Sequence, residues 1–184
     1  MVKLQLQEGG GRVYLAALER EHCRTLARDW EYDFENAAEP LAIGDSIEKA
    51  DEWFEDIKKR QGSPITLGIF LSCGDVIGYV RLQGIDWPNK SCAVGMSIAK
   101  IANRGKGYGK EAVKLILHYG FVHLGLERIS ASPLEHNTGA RKSLESAGFV
   151  LEGRHRKAVY CLGKKYDKLF YSVLIDEYNS RLKY

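Results

Sequence analysis

In the segment NRGKGYGKEA, residues 103–112, three glycines fall within five positions among basic residues and directly precede an apolar run of helical period. A strand ending near Ala99, a glycine-rich turn and a helix start leave several backbone N–H groups unpartnered at the positive end of a helix dipole. That arrangement suits a phosphate or pyrophosphate. Gly105, Gly107 and Gly109 carry no Cβ to hold an anion off the backbone, while Arg104, Lys106 and Lys110 supply charge around it. The alternative for the same residues is a tight strand-to-helix turn that uses glycine for packing alone. Spacing excludes two common nucleotide loops. The pattern G-x-x-x-x-G-K-[ST] would require glycine at Arg104 and a hydroxyl residue at Glu111, and G-x-G-x-x-G would require glycine at Lys110.

The elements that must position this loop follow from period and punctuation. RVYLAALE, residues 12–19, reads as a first strand running into a helix over about residues 22–30. A second helix is expected after Asp45 or Ser46, with Ile47, Ala50, Trp53, Phe54 and Ile57 on its apolar face. Short turns, CGD and DWPNK, join residues 65–72, 76–85 and 91–99 as three consecutive antiparallel strands. The helix after the glycine loop ends at Gly125, and LERISASP is a short buried strand. Strand, helix, strand in that order implies a parallel pairing of residues 91–99 with 126–133. NTGARKSLESAG is a further helix capped by Asn137 or Thr138, and residues 149–160 and 168–178 are two closing strands around CLGKK.

The 184 residues fit a single domain over 1–184, with 45% hydrophobic and 28% charged residues in the ordinary globular range. Basic and acidic residues nearly balance, 27 against 24, without a long basic block, so nucleic acid is not an indicated partner. Cys23, Cys73, Cys92 and Cys161 form no CxxC pair and no ligand spacing; we expect reduced thiols and no metal. The absence of an apolar leader and of any apolar run near ~20 residues makes a cytoplasmic protein without membrane partners the expectation.

The loop and the element order resemble the GNAT superfamily of acetyl-CoA-dependent N-acetyltransferases, whose pattern [RQ]-x-x-G-x-[GA] is met by Arg104, Gly107 and Gly109. NTGARKSLESAGF, LEGR and GKKYDKLFYSVLIDEY further look like the branch of RimJ/RimL-type N-terminal acetyltransferases of ribosomal proteins and spermidine acetyltransferases. The resemblance implies an α+β fold: a mostly antiparallel seven-stranded mixed sheet with a splayed parallel pair and flanking helices. It also implies acetyl-CoA as cosubstrate. The pantetheine arm would pair with backbone of Ser97, Ile98 and Ala99, and the pyrophosphate would meet Arg104, Gly105, Lys106, Gly107, Tyr108 and Gly109. Asn137 would contact the pantetheine side, cap its helix, or both. Arg141 or Lys142 would reach the adenosine phosphates or simply face solvent.

An amine must be neutral to attack a thioester, so a base or water must take its proton, and a donor must serve the leaving thiolate. Two positions depart from the family pattern. Ala93 stands where many relatives carry a glutamate base, and Leu144 where many carry a tyrosine acid. His136 and Tyr160 are the candidate catalytic substitutes, with Asp86 and Glu152 as further carboxylates; Glu152 is also placed to pair with Arg154 or Arg156. Asp29, Glu31, Asp33, Glu35 and Glu39 form either a negative rim that favours a cationic amine or a solvated loop. The expected acceptor is a primary amine of a small molecule or peptide, such as a protein N-terminus or polyamine. A catalytically inactive acetyl-CoA-binding regulatory module is the alternative, and exposed edge strands leave a homodimer open.

Overall fold

The computed structural model describes residues 3–5, 11–32, 46–59, 64–161 and 163–181. β1 (Lys3–Leu4) and β2 (Val13–Ala16) lead into α1 (Arg20–Arg28) and α2 (Ile47–Lys59). β3 (Ile65–Leu71), β4 (Val76–Asp86) and β5 (Ser91–Ile98) precede α3 (Tyr108–His118), and β6 (Arg128–Ala131) precedes α4 (Thr138–Ala147). β7 (Val150–Cys161), β8 (Lys164–Leu174) and α5 (Ile175–Arg181) complete the chain. Among the described residues eight strands lie in one sheet, in the order β1-β2-β3-β4-β5-β6-β8-β7. Every neighbouring pair is antiparallel except β5 and β6.

Strand alternation assigns each face its cover. On one face Leu15, Ile69, Val80, Leu82, Cys92, Val94 and Ile129 bury against α3, whose Val113, Ile116 and Leu117 form the matching stripe. On the other, Tyr14, Ala16 and Phe70 pack with Cys23 and Leu26 of α1 and Ala50 of α2. Bidentate bonds of 2.8 Å from Arg24 to Asp51 join the two helices, and Arg20 adds an ion pair to Glu55. These helices leave the centre of that face open: Tyr79, Arg81 and Gln83 of β4 and Ala93, Gly95 and Ser97 of β5 are all half-buried.

The expected three-strand meander, the parallel pair and the closing hairpin are all present. The strand count is eight and not seven, because Lys3 and Leu4 pair with Ala16 and Leu15; two residues are too short to leave a periodic signal. The first helix starts two residues earlier than read, with the Glu19 N–H donating 3.0 Å to His22 Nδ1 at its start. The last strand stops at Leu174, and IDEY is helical. Glu177 accepts from the Leu174 N–H at 2.9 Å, and Ile175 and Tyr178, one helical turn apart, both pack on the core. Asp45, read as one possible helix start, lies outside the described residues, as do Asp33, Glu35 and Glu39 of the acidic segment. Among the described residues no helix is long and apolar enough to cross a membrane.

Candidate active site

β5 and β6 pair only at Ser91–Arg128, Cys92–Ile129 and Ala93–Ser130. Beyond Ala93 the two strands part, while β5 stays paired with β4 out to Ile98. Antiparallel partners alternate between hydrogen-bonded and non-bonded pairs. The 3.0 Å bond from Ala99 N–H to the Ile77 carbonyl sets the phase, so residues 93, 95, 97 and 99 turn their backbone groups to β4. Those of Val94, Met96 and Ile98 face the opening. Of Ser97, Ile98 and Ala99, only Ile98 addresses the gap, and its carbonyl already accepts from Arg104 Nε at 3.1 Å.

The loop at the mouth of this gap is conformationally committed. Gly105 and Gly107 have φ of 72° and 87°, the left-handed region in which a side chain is strained. Gly107 caps α3, and the N–H groups of Tyr108, Gly109 and Lys110 open its positive end. Gly109 serves packing: a Cβ there would stand 3.0 Å from Met96 Cε and 3.6 Å from Ser143 Oγ, so glycine lets α3, β5 and α4 meet. Arg104 does not present its guanidinium outward. It ties the loop to the strand end through the carbonyls of Ile98, Ala99 and Glu31, at 3.0–3.2 Å. Lys106 and Lys110 are exposed.

Arg12, which no motif or spacing singles out, holds the loop from the side. Its Nη1 donates 2.8 Å to the Lys106 carbonyl, its Nε 2.7 Å to Glu111, and its own N–H 2.9 Å to the same carboxylate. Glu111, in the first turn of α3, also complements the helix dipole. The partners are 99 residues apart in sequence, so no local pattern announces them.

On the far wall, Asn137 caps α4 by accepting from Ala140 N–H at 3.0 Å. His136 follows the C-terminal end of β6, at the side where the strands part. Its ring lies 4.2 Å from that of Tyr166, and both ring nitrogens are shielded from solvent without a hydrogen-bond partner. It is therefore not a solvated loop histidine. Arg141 bonds the Glu135 carbonyl at 3.2 Å through Nη1, and its Nε is shielded and unpartnered; Lys142 is exposed on the outer side of α4. Tyr160 is 68% exposed on β7, without comparable shielding.

The two carboxylates are occupied. Asp86 accepts from the N–H and Nδ2 of Asn89, at 2.9 and 2.8 Å, and these bonds hold its pKa below the usual range. Glu152 pairs with Arg128, not with Arg154 or Arg156, and accepts from Ser172 Oγ at 2.7 Å. Arg128 and then Ser172 keep its pKa low, which makes it a weak base. Arg154 bridges Glu135 and Asp167 instead. A cavity of 470 Å³ at the apex of the opening is lined by Gln83, Ser91, Cys92, Ala93, Arg128 and Ser130, among others. Burial pushes the Cys92 thiol up to about 12, so it is no ready thiolate nucleophile. Leu144 is a core residue, 6% exposed.

Of the acidic rim, Asp29 pairs with Lys100 at 2.9 Å, and Glu31 accepts from the Ile101 N–H at 2.6 Å. Lys100 neutralises Asp29, while the exposed Glu31 keeps its charge.

A mixed sheet opened at its parallel pair, with a glycine-rich turn and a helix start at the mouth, is the fold of the GNAT acetyltransferases. The chain belongs to the acetyltransferase (GNAT) domain family, whose model matches residues 12–150. It is 31% identical over 105 residues to the putative ribosomal N-acetyltransferase YdaF of Bacillus subtilis (strain 168), covering 57% of each chain. It is 42% identical over 94 residues to the probable N-acetyltransferase YjcK of the same organism, covering 50% of this chain and 51% of that one. The match thus spans about half the length of these curated relatives. Two solved structures share the fold across almost the whole chain. A probable acetyltransferase superposes with a TM-score of 0.82 at 22% identity, over 96% of this chain and 98% of that one. The spermidine N-acetyltransferase of Vibrio cholerae, in complex with CoA and spermine, gives 0.77 at 22% identity, over 92% and 99%.

Proposed function

We propose that the protein transfers an acetyl group from acetyl-CoA to a primary amine by direct attack. The observation that carries this reading is the gap-facing backbone of Val94, Met96 and Ile98, continuous with the cradle at residues 104–110. The arm would add to β5 as a short strand, and the pyrophosphate would accept from the first N–H groups of α3. A gap-facing N–H of β5 is then available to the oxyanion that forms when the amine attacks the thioester carbon. Collapse of that tetrahedral species breaks the C–S bond, giving amide and CoA. No acyl-enzyme is needed, in keeping with a buried, protonated Cys92.

His136 is the better placed of the two candidate proton-handling residues, since neither shielded ring nitrogen is engaged and the unprotonated one is free to accept a proton. Tyr160, at 68% exposure, would act only if an acceptor covered it. Incubation with acetyl-CoA and a panel of amines, reading free thiol, tests the assignment; the absence of both cofactor binding and turnover on every amine would refute it. A second reading, cofactor binding without catalysis, draws on Ala93 at the apex and Leu144 in the core, where no base or acid can act. Tight acetyl-CoA binding without turnover would select it.

A further inference from the structure

On the open face of the sheet, Arg81 stands opposite Gly95, in the half of β5 that has lost its β6 partner. Its side chain lies across that glycine: a Cβ at position 95 would be 3.4 Å from Arg81 Nε and 3.7 Å from its Cγ. Arg81 is half-buried, its Nε is shielded, and no carboxylate or carbonyl among the described residues accepts from it. Its nearest π-face is Tyr79, 5.9 Å from the guanidinium carbon and itself stacked on Trp30 and met edge-on by Trp53. By contrast Arg12, Arg20, Arg24, Arg128 and Arg154 each have a carboxylate. A partly desolvated guanidinium without an anion is costly, and its planar fork matches a carboxylate.

We infer that the acceptor is an amine carrying a carboxylate close to its nitrogen, of the amino-acid class, and that Arg81 receives that carboxylate. The inference rests on the acetyl-transfer reading and names its substrate. Directly opposed residues of neighbouring strands sit about 5 Å apart, so an anion held over Gly95 keeps an amine a few bonds away within reach of a thioester in the gap. In the described part of the acidic rim Asp29 is already neutralised by Lys100, so a polycation would find only Glu31 there, and that carboxylate already accepts from the Ile101 N–H. Ala93, beside Gly95 on the same face, supplies no carboxylate that would neutralise Arg81 internally.

The test compares free amino acids, their carboxamides and spermidine as acceptors, with the wild type and with R81Q of verified folding. Amino acids should exceed their carboxamides in kcat/KM by roughly tenfold or more, as one charge-assisted hydrogen bond supports, and R81Q should bring the ratio to within about twofold. Equal use of acid and amide, a ratio unmoved by R81Q, or preference for spermidine would overturn the inference. Calorimetric titration of the same acids and amides into the CoA-saturated protein separates the two claims. If no amine is turned over, acetyl transfer falls. Carboxylate-dependent binding lost in R81Q would still support the anion site, and its absence would end it.

Discussion

The cradle at residues 104–111 and the walls of the gap beyond it are finished to different degrees. At the cradle, Arg104, Arg12 and Glu111 all find partners within the chain, and two glycines in left-handed conformation fix the path. Along the gap, the shielded side-chain nitrogens without a partner belong, among the described residues, to Arg81, His136 and Arg141. One stands on the β5 side and two follow β6. Folding alone satisfies the side chains of the first region and leaves only backbone N–H groups at the start of α3 for a ligand, whereas the second keeps side-chain donors and acceptors that a ligand would complete. A binding element that every substrate molecule shares can be rigid, and the chemistry-bearing wall stays incomplete until both substrates are present.

If that contrast is real, damage should be graded. The largest effect is expected for His136→Gln, which removes a base while leaving the cradle untouched. Turnover should fall about 100-fold with acetyl-CoA affinity changed little, and the remaining rate should track deprotonation of the acceptor amine as pH rises. Equal loss of turnover and cofactor affinity would erase the distinction between the regions. Gly107→Val comes next. It forces a branched side chain to φ 87° and into Arg12 Nη2, 2.8 Å from the added Cβ, so acetyl-CoA affinity should drop by roughly tenfold or more in titration.

Local signals made the cradle and the parallel pair legible: glycine spacing, helix onset, and a strand-helix-strand order. Long-range partners carried no such signal. Arg12 reaches Glu111 across 99 positions, and Arg104, expected to face an anion, turns back onto Ile98 and Ala99. The phase of the gap-facing edge carried no sequence signal, because only the Ala99–Ile77 bond shows which member of each alternating pair looks outward. Glu152 was read against its own strand, yet the bulge between Leu151 and Gly153 carries it to Arg128 and Ser172. The unpartnered state of Arg81 could not be read at all, since it depends on what every neighbouring element fails to supply.

Smaller effects sharpen the same contrast. Glu111→Gln should loosen the Arg12 clamp, costing about 1 kcal/mol and lowering Tm by about 2–4 °C, with a few-fold loss of acetyl-CoA affinity. The smallest effect concerns Glu152, whose pKa is depressed in the folded protein by Arg128 and Ser172. Its contribution is complete above the ordinary value of about 4.3 and is lost as pH falls through the depressed folded value. Glu152→Gln should therefore be less stable than wild type near neutrality and converge with it under acid, as followed by thermal melts across pH.

The most direct measurement is a pair of calorimetric titrations, acetyl-CoA against S-acetylpantetheine, which lacks the pyrophosphate and the nucleotide. Built as described, the protein should bind one equivalent of acetyl-CoA roughly 100-fold more tightly, and Gly107→Val should remove most of that advantage. Equal affinity for the two ligands, or an advantage untouched by Gly107→Val, would contradict the assignment of residues 104–110 as the pyrophosphate cradle.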